Sequence, residues 1–319
     1  MTVQTENEYE DLLSLWADLE SGLGIILGSP ASVQEFELRV WQYDRWMTDL
    51  LKRDTDMGLY LLFQLASNSP VGYSASHALV SAVLCHLIAL EIKLPQDERD
   101  SLVHAALTMN IAMTQLQDQM ASQLEKPSTE QHVAIREHPA KGVVMLRSWR
   151  VVDPLWLETI ALHHDDSTDK GGLGLVKPAV RLARILRVVD RYAAMISPRK
   201  SREGRSATDS ARSIISRTTE QANEVSVVLV KVVGQCPPGT YVRLDDGQMA
   251  VVMRRSSQPN RPFVAIVINE AGALVNPPRL HRTANASPGI KSALPPSAVR
   301  ERLNHYLILQ MGAYAAQHP

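Results

Sequence analysis

The chain has few aromatic residues, two cysteines and almost no net charge, and each of these shortages argues against a class of protein. Of its 319 residues 5% are aromatic, and the two cysteines are Cys85 and Cys236. Neither cysteine has metal-ligand spacing, so a disulfide framework is not expected, as suits a reducing cytoplasm. A net charge of -1 gives no general attraction to nucleic acid or anionic membranes.

Long apolar runs are also missing. The best candidate for a membrane span, Ala78 to Leu90, is interrupted by His86 and falls short of the roughly 20 apolar residues that a span needs. The N-terminus, Thr5 to Asp11, is acidic, whereas a secretory signal begins with positive charge. We therefore expect a cytoplasmic protein with neither a membrane nor a nucleic acid as its partner.

Apolar residues at helical spacing predict a mainly α protein. Residues 1–66 are expected to form an N-terminal helical accessory segment, broken at residues 22–30, in which we find no chemistry. A secondary hypothesis is that this segment senses a signal or forms a dimer. Ser67 to Pro70 is expected to start the next helix, and residues 67–223 are expected to form a helical bundle.

From residue 224 the character of the sequence changes. Short β-rich runs joined by Gly, Pro and Asp turns predict a small antiparallel β extension over residues 224–285. Residues 286–319 are expected to be a linker and a C-terminal helix, with residues 283–296 linker-like and residues 298–313 helical. Residues 225–233 are rich in β-branched side chains and by themselves predict a strand.

Polar residues at core-facing or helix-terminal positions are the candidates for a site. His163 and His164 end an apolar helix, where they are either metal ligands or caps on the last carbonyls. His77 lies on an apolar helix face, where a lone histidine is usually a core residue. Asp190 joins the apolar side of another helix and needs a partner there, because an unpaired buried charge is costly. With His138, these residues suit a divalent transition metal.

A basic run from Pro198 to Arg217 follows Asp190 closely. Such a run is usually a solvated face, but next to a metal site it is also suited to contact phosphate oxygens. The sequence of the run does not decide between these two interpretations.

Several segments, taken in order, resemble the HD-GYP family of metal-dependent phosphohydrolases that act on cyclic di-GMP. The resemblance extends from about Tyr73 to His281. It is carried by Tyr73-Ser74-Ala75-Ser76-His77, Glu137-His138-Pro139-Ala140-Lys141-Gly142, Ala161-Leu162-His163-His164-Asp165 and Ala183 to Tyr192, and it continues into Pro237 to Leu244. The resemblance implies that residues 225–233 are helical, and we adopt this prediction because β-branched residues lower helix propensity by only tenths of a kcal/mol.

The family then implies a role for each matching position. The metal ligands would be His77, a His-Asp pair on the next helix, His138, His163, His164 and Asp190. Arg199, Lys200 and Arg202 would face the phosphates of the nucleotide. The implied ligand is cyclic di-GMP or a related nucleotide, and the implied cofactor is one divalent transition metal (Fe, Mn or Zn) or none. A GGDEF-type or other signalling protein and a second copy of the chain are further candidate partners.

The departures from the family concern the catalytic positions. Met109-Asn110-Ile111-Ala112-Met113 stands where the family has His-Asp-Ile-Gly-Lys, so Asn110 replaces the bridging aspartate. A neutral amide offers one carbonyl oxygen and no charge, and is a poor bridge between two cations. Gly172-Leu173-Gly174 takes the place of the Gly-Tyr-Pro loop. Three hypotheses follow: a catalytically impaired signalling protein that binds a nucleotide or a protein, an active phosphodiesterase with a reduced metal site, and a helical scaffold with relic histidines.

Overall fold

The computed structural model describes residues 2–68, 71–165, 171–217, 223–258, 260–284 and 287–318. It is mainly helical, with a small antiparallel sheet and a C-terminal helix, as predicted. The described helices are α1 (Thr2–Gly28), α2 (Phe36–Arg53), α3 (Thr55–Asn68), α4 (Tyr73–Glu91), α5 (Gln96–Thr108), α6 (Thr114–Ser122), α7 (Thr129–Ser148), α8 (Pro154–Leu162), α9 (Pro178–Ile196), α10 (Ala207–Arg217), α11 (Asn223–Val233) and α12 (His305–Gln317).

Helix α4 is the centre of the bundle. It packs against α5, α9, α3 and α1, and it is buried on nearly every side. Among the described helices it alone has the length and apolar composition of a membrane span, but 78% of that stretch is buried inside the protein. This burial is typical of the core helix of a folded domain.

The break expected at residues 22–30 begins later than predicted, because α1 continues to Gly28. A Cβ on Gly22 would lie 1.9 Å from the hydroxyl of Tyr43, and one on Gly24 would lie 2.5 Å from a methyl group of Val71. These glycines therefore allow close packing of α1 on its neighbours, and the predicted start of the break was wrong. Ser67 lies in the last turn of α3 instead of starting a helix. Ser69 and Pro70, the rest of that predicted start, lie outside the described residues.

Five strands form one antiparallel sheet in the order β4-β3-β2-β1-β5. They are β1 (Tyr241–Leu244), β2 (Met249–Arg254), β3 (Phe263–Ile268), β4 (Leu274–Arg282) and β5 (Ile290–Leu294). Strand β5 pairs with β1, with Tyr241 opposite Leu294. The predicted linker at residues 283–296 was therefore wrong, because this segment contains an edge strand. The final helix begins at His305, later than predicted.

Side chains from the N-terminal helices, the bundle, the sheet and α12 join in one hydrophobic core, which extends in sequence from Leu12 to Ala315. Two ion pairs connect the start of α3 to the end of β2: Arg254 contacts Asp54, and Nε of Arg255 lies 2.6 Å from Asp56. The division of the chain at residues 66, 223 and 285 stays a prediction.

Candidate metal centre

The histidine pair lies at the end of α8. This helix begins at Asp153, whose carboxylate accepts hydrogen bonds from the backbone N–H groups of Leu155 and Trp156 at 2.8 and 3.1 Å. At the other end, Nδ1 of His163 lies 2.7 Å from the carbonyl oxygen of Ile160, an acceptor, so this nitrogen carries the proton. His163 thus caps the helix with one nitrogen and leaves Nε2 available for a ligand.

His138 is oriented in the same way, and a proline explains how. Pro139 lies inside α7 and has no N–H with which to bond the carbonyl of Ile135, four residues earlier. Nδ1 of His138 lies 2.6 Å from that carbonyl oxygen and donates to it instead. Helix α7 therefore continues through Pro139, and Nε2 of His138 is left without a proton.

The two unprotonated Nε2 atoms, of His138 and His163, lie 3.3 Å apart. A ring nitrogen of His164 lies within 4.8 Å of both. We call His138, His163 and His164 the histidine triad. Burial, with smaller effects from neighbouring histidines, lowers the pKa of His138 to about 4 and that of His163 to about 3.

This arrangement fits a cation. Both buried imidazoles are neutral near pH 7, and both Nδ1 protons are donated to backbone carbonyls, so two lone pairs face each other across 3.3 Å. A bound cation relieves this repulsion, and hydrogen bonds from the opposite ring nitrogen are the usual support of metal-binding histidines. His164 is exposed, so an ion held by the triad would be open to solvent and to a further ligand.

A second pair of titratable groups lies nearby. Nε2 of His77, on α4, lies 2.9 Å from Oδ1 of Asp190, on α9. Burial raises the pKa of Asp190, but the hydrogen bond from His77 and the nearby His163 and His164 outweigh it and hold that pKa well below its ordinary value. Asp190 is therefore ionised, and the structure brings all five predicted metal ligands into one region.

Tyr73 separates this pair from the basic segment. Its ring stacks on His77, with centroids 5.5 Å apart, and its hydroxyl accepts a hydrogen bond of 2.8 Å from Arg199. The Arg199 guanidinium also lies 4.7 Å from the Tyr73 ring centroid. Arg199 is half-buried, whereas Lys200 and Arg202 are exposed. Their predicted contacts with phosphate stay predictions.

Residues 61–222, half of the chain, match the family model described as HD domain. The chain belongs to the HD domain family. Over 186 residues it is 28% identical to the cyclic di-GMP phosphodiesterase PA4108 of Pseudomonas aeruginosa. That match covers 57% of this chain and 45% of the relative, so the chain spans about half the length of this relative.

The fold is similar to that of Bd1817, a HDG"Y"P protein from Bdellovibrio bacteriovorus. The TM-score is 0.52 at 12% identity, over 72% of this chain and 74% of that one. At this identity the likeness concerns the fold alone. Together these matches confirm the resemblance to the HD-GYP family that the motifs predicted.

The position of the HD pair lies between α5 and α6. Met109 follows the last residue of α5, Asn110 is half-buried, and a single 3-10 turn follows at Ile111–Met113. Met109 and Met113 are buried in the core. This turn packs against α7, where a Cβ on Gly142 would lie 3.8 Å from Ile111 and 4.0 Å from the Met109 carbonyl oxygen. The segment thus contacts the helix that carries His138, and it supplies neither a histidine nor a carboxylate.

Two residues that sequence analysis missed contact Asp165 and Gly171, the described residues on either side of positions 166–170. Arg184 and Arg187, both buried on α9, donate to the carbonyl oxygens of Gly171 at 2.5 Å and Asp165 at 2.8 Å. The available signal was the spacing of two arginines within the apolar turns of α9. Leu173, at the position of the family's tyrosine, is buried, and its N–H donates to Glu224 at 3.0 Å.

Proposed function

We propose that this HD domain protein is a cyclic di-GMP signalling protein of the HD-GYP type, catalytically impaired, which acts in the cytoplasm by binding a nucleotide or a protein. The histidine triad would hold one divalent transition metal (Fe, Mn or Zn), with Asp190 and His77 beside it. Arg199, Lys200 and Arg202 would receive the phosphates. A GGDEF-type or other signalling protein and a second copy of the chain are the protein partners we propose.

The observation that carries the metal assignment is the convergence of Nε2 of His138 and Nε2 of His163. Each ring has its Nδ1 hydrogen-bonded to a backbone carbonyl, at 2.6 and 2.7 Å. A histidine packed only as a core residue needs one such bond, but it does not need its second nitrogen directed at another lone pair. Three neutral imidazoles are a common donor set for Zn²⁺ and for other divalent transition metals.

The substitutions at residues 109–113 support impaired catalysis. A metal in an HD site polarises phosphate and lowers the pKa of bound water, and a bridging carboxylate allows two ions to share that water. Asn110 has no charge to offset repulsion between two ions, and Met109 and Met113 supply neither a histidine nor a cation. Rate losses of about a thousandfold or more would follow, since each 1.4 kcal/mol is tenfold.

The nucleotide assignment rests on charge and on the relative. Arg199 contacts Tyr73, whose ring stacks on His77. Lys200 and Arg202, close to Arg199 in sequence, are exposed. Phosphate oxygens near a metal and several cations form charge-assisted hydrogen bonds, which are stronger than neutral ones. The relative named as a cyclic di-GMP phosphodiesterase suggests which nucleotide to test first.

Metal analysis and a binding titration on one preparation test the proposal. Protein purified without chelators should contain about one ion per chain and should bind cyclic di-GMP with little hydrolysis. Replacing all three triad residues should remove the ion. Metal-free protein whose partner binding and stability do not change in the triple variant would instead support a helical scaffold with relic histidines.

An active phosphodiesterase with a reduced site is the second candidate, because five of the seven expected ligands are retained and lie together. Hydrolysis of cyclic di-GMP with Mn²⁺ or Fe²⁺, lost in His164→Ala, would establish it and would reject the impaired protein. His164 suits this test because it is exposed, so its replacement should not disturb folding.

A further inference from the structure

A cleft of about 830 Å³ lies between the basic segment, residues 198–204, and the C-terminal segment, residues 296–305. The end of α3 and the first residue of β1 complete its lining. None of the triad residues lines it. The C-terminal segment lies beyond the part of the chain that matches the HD domain, so the family match assigns no role to this wall of the cleft.

Positive charge is concentrated in this cleft. Four cationic side chains line it, against two carboxylates: Arg199, Lys200, Arg300 and Arg302 against Glu203 and Glu301. In the part of the chain that the structure describes, the side chains of Lys200, Arg300 and Arg302 form no hydrogen bond or ion pair. In a chain whose net charge is -1, four cations against two carboxylates around one concavity give a local excess of positive charge, which attracts an anionic ligand.

Neither carboxylate forms an ion pair with these cations among the described residues. Glu203 accepts a hydrogen bond of 3.1 Å from the hydroxyl of Ser297, which connects the two walls of the cleft. Glu301 accepts one of 3.1 Å from the backbone N–H of Arg300. The carboxylates offset part of the positive charge, and the guanidinium groups of Arg300 and Arg302 are not held by them.

The backbone of the basic wall is also fixed. The N–H of Lys200 donates to the carbonyl of Ala121 at 2.8 Å, and that of Arg205 donates to Met195 at 2.9 Å. A Cβ on Gly204 would lie 2.4 Å from the carbonyl oxygen of Ile196, so only glycine allows this close approach. Charges on a fixed backbone form a preorganised site, which loses less entropy on binding.

Arg199 has an unsatisfied donor close to the cleft. Its Nε is buried and has no hydrogen-bond partner among the described residues, although a buried donor is normally paired. Tyr241, Val299 and Leu303 add apolar surface to the same cleft. A phosphate would pair with the arginines, and a ring-shaped group would cover the apolar part.

We propose that this cleft binds a phosphorylated ligand of nucleotide size at a position distinct from the histidine triad. The site rests in part on the proposed function, because it shares Arg199 and Lys200 with the phosphate contacts proposed there. It adds a second wall, the C-terminal segment with Arg300 and Arg302, and it requires no metal. Arg199 borders the cleft and also contacts Tyr73, so a ligand there would lie next to the residues that contact His77.

The test is titration calorimetry of the full chain with guanosine monophosphate, inorganic pyrophosphate and guanosine as probes. The double variant Arg300→Ala/Arg302→Ala should weaken binding of the monophosphate about tenfold or more, because two charge-assisted contacts are removed. The control Arg53→Ala/Arg147→Ala removes two exposed arginines elsewhere and should leave the affinity unchanged. Guanosine should bind far more weakly than its monophosphate.

The probes separate two sources of the phosphate. Pyrophosphate binding that depends on Arg300 and Arg302 would identify a site for phosphate itself, whereas binding of the monophosphate alone would identify a nucleotide site. Either result supports the proposal. Equal weakening in the control, equal affinity for guanosine, or no binding of any probe at millimolar concentration would overturn it.

His164→Ala separates this site from the metal centre. Binding of the monophosphate that persists in this variant, with its dependence on Arg300 and Arg302 intact, supports a distinct cleft whether or not the triad holds metal. Binding that is lost in His164→Ala and unaffected by Arg300→Ala/Arg302→Ala places the ligand at the triad and overturns the proposal.

Discussion

The histidine triad and the His77–Asp190 pair differ in which imidazole nitrogen is occupied. In the triad, His138 and His163 use Nδ1 to bond backbone carbonyls and leave Nε2 facing a common point. His77 uses Nε2 to bond Asp190 at 2.9 Å, and its buried Nδ1 has no partner among the described residues. The triad thus directs two ring nitrogens at one point, whereas the corresponding nitrogen of His77 is already bonded to a carboxylate.

The orientation of each imidazole ring depends on which backbone carbonyls near it are free to accept a hydrogen bond. Pro139 frees a carbonyl for His138, and the end of α8 frees one for His163, so local backbone orients both rings. His77 lies in the middle of α4, where every backbone carbonyl is already bonded, and Tyr73 stacks on its ring. Residues 109 and 110 offer no carboxylate. We call the histidine triad, whose Nε2 atoms face a common point, the open half of the candidate site. We call the His77–Asp190 pair, whose groups bond each other, the closed half.

The largest expected effect comes from restoring the missing pair. Met109→His/Asn110→Asp should raise cyclic di-GMP hydrolysis with Mn²⁺ by up to about a thousandfold, because the added carboxylate can bridge two ions. Metal content should rise above one ion per chain, measured on the same preparation. Met109→His alone is the matched control and should gain little. If the wild type hydrolyses cyclic di-GMP as fast as the double variant, the missing carboxylate at position 110 does not limit hydrolysis, and the prediction is wrong.

Removing one ligand from each half should have unequal effects on metal affinity. His163→Gln removes a direct ligand and should weaken binding about a hundredfold or more, since loss of even an outer partner costs 10–100-fold. His77→Gln, its counterpart in the closed half, should weaken it less than tenfold. Competition with a chromogenic chelator measures both. Equal losses in the two variants would show that the ion is shared between the halves.

Acidification should destabilise the metal-free protein through the triad. The pKa values of His138 and His163 are lowered from 6.5 to about 4 and about 3, so the unfolded chain takes up protons that the folded chain does not. The free energy of unfolding should therefore fall as the pH drops from 6.5 toward 4. Near about pH 5 the loss is about 2 kcal/mol for each histidine.

Urea unfolding of the chelator-treated protein at several pH values measures this loss. His138→Gln/His163→Gln removes both titrations and should reduce the pH dependence over that interval by about half or more. Part of it should persist, because burial also lowers the pKa of His86 and His305. Asp190 acts at lower pH, because its pKa is held below the ordinary 3.8, and it contributes stability that is lost only below about pH 4. A wild-type stability that does not change between pH 7 and pH 5 would contradict the buried, neutral state of the triad.

Local rules were sufficient for several elements of the fold. Ser128 and Gln131 form a capping box at the start of α7, which their spacing indicates, and Pro178 occupies the first position of α9, where proline is favoured. Residues 225–233 are helical despite their β-branched side chains, because packing of the apolar face outweighs small propensity differences. In each case the information lay within a few residues or in the family motif.

Contacts distant in sequence decided what local rules missed. Gly22 stays in α1 because Tyr43 of α2 occupies the space that a side chain would need. Strand β5 forms because it pairs with β1, some fifty residues earlier. The five candidate ligands could be named from the sequence, but their ring orientations could not. Those depend on which carbonyls Pro139 and the end of α8 leave free.

The smallest expected effect concerns Tyr73, which borders the closed half. Tyr73→Phe keeps the ring that stacks on His77 but removes the hydroxyl that accepts a hydrogen bond from Arg199 at 2.8 Å. If Arg199 turns to a nucleotide phosphate, it must first give up this bond, whose net value is about 0.5–1.5 kcal/mol. Cyclic di-GMP should therefore bind the variant about two- to tenfold more tightly. Arg199→Ala is the opposing control and should weaken binding, and weaker binding in both variants would show that Tyr73 holds Arg199 in its binding position.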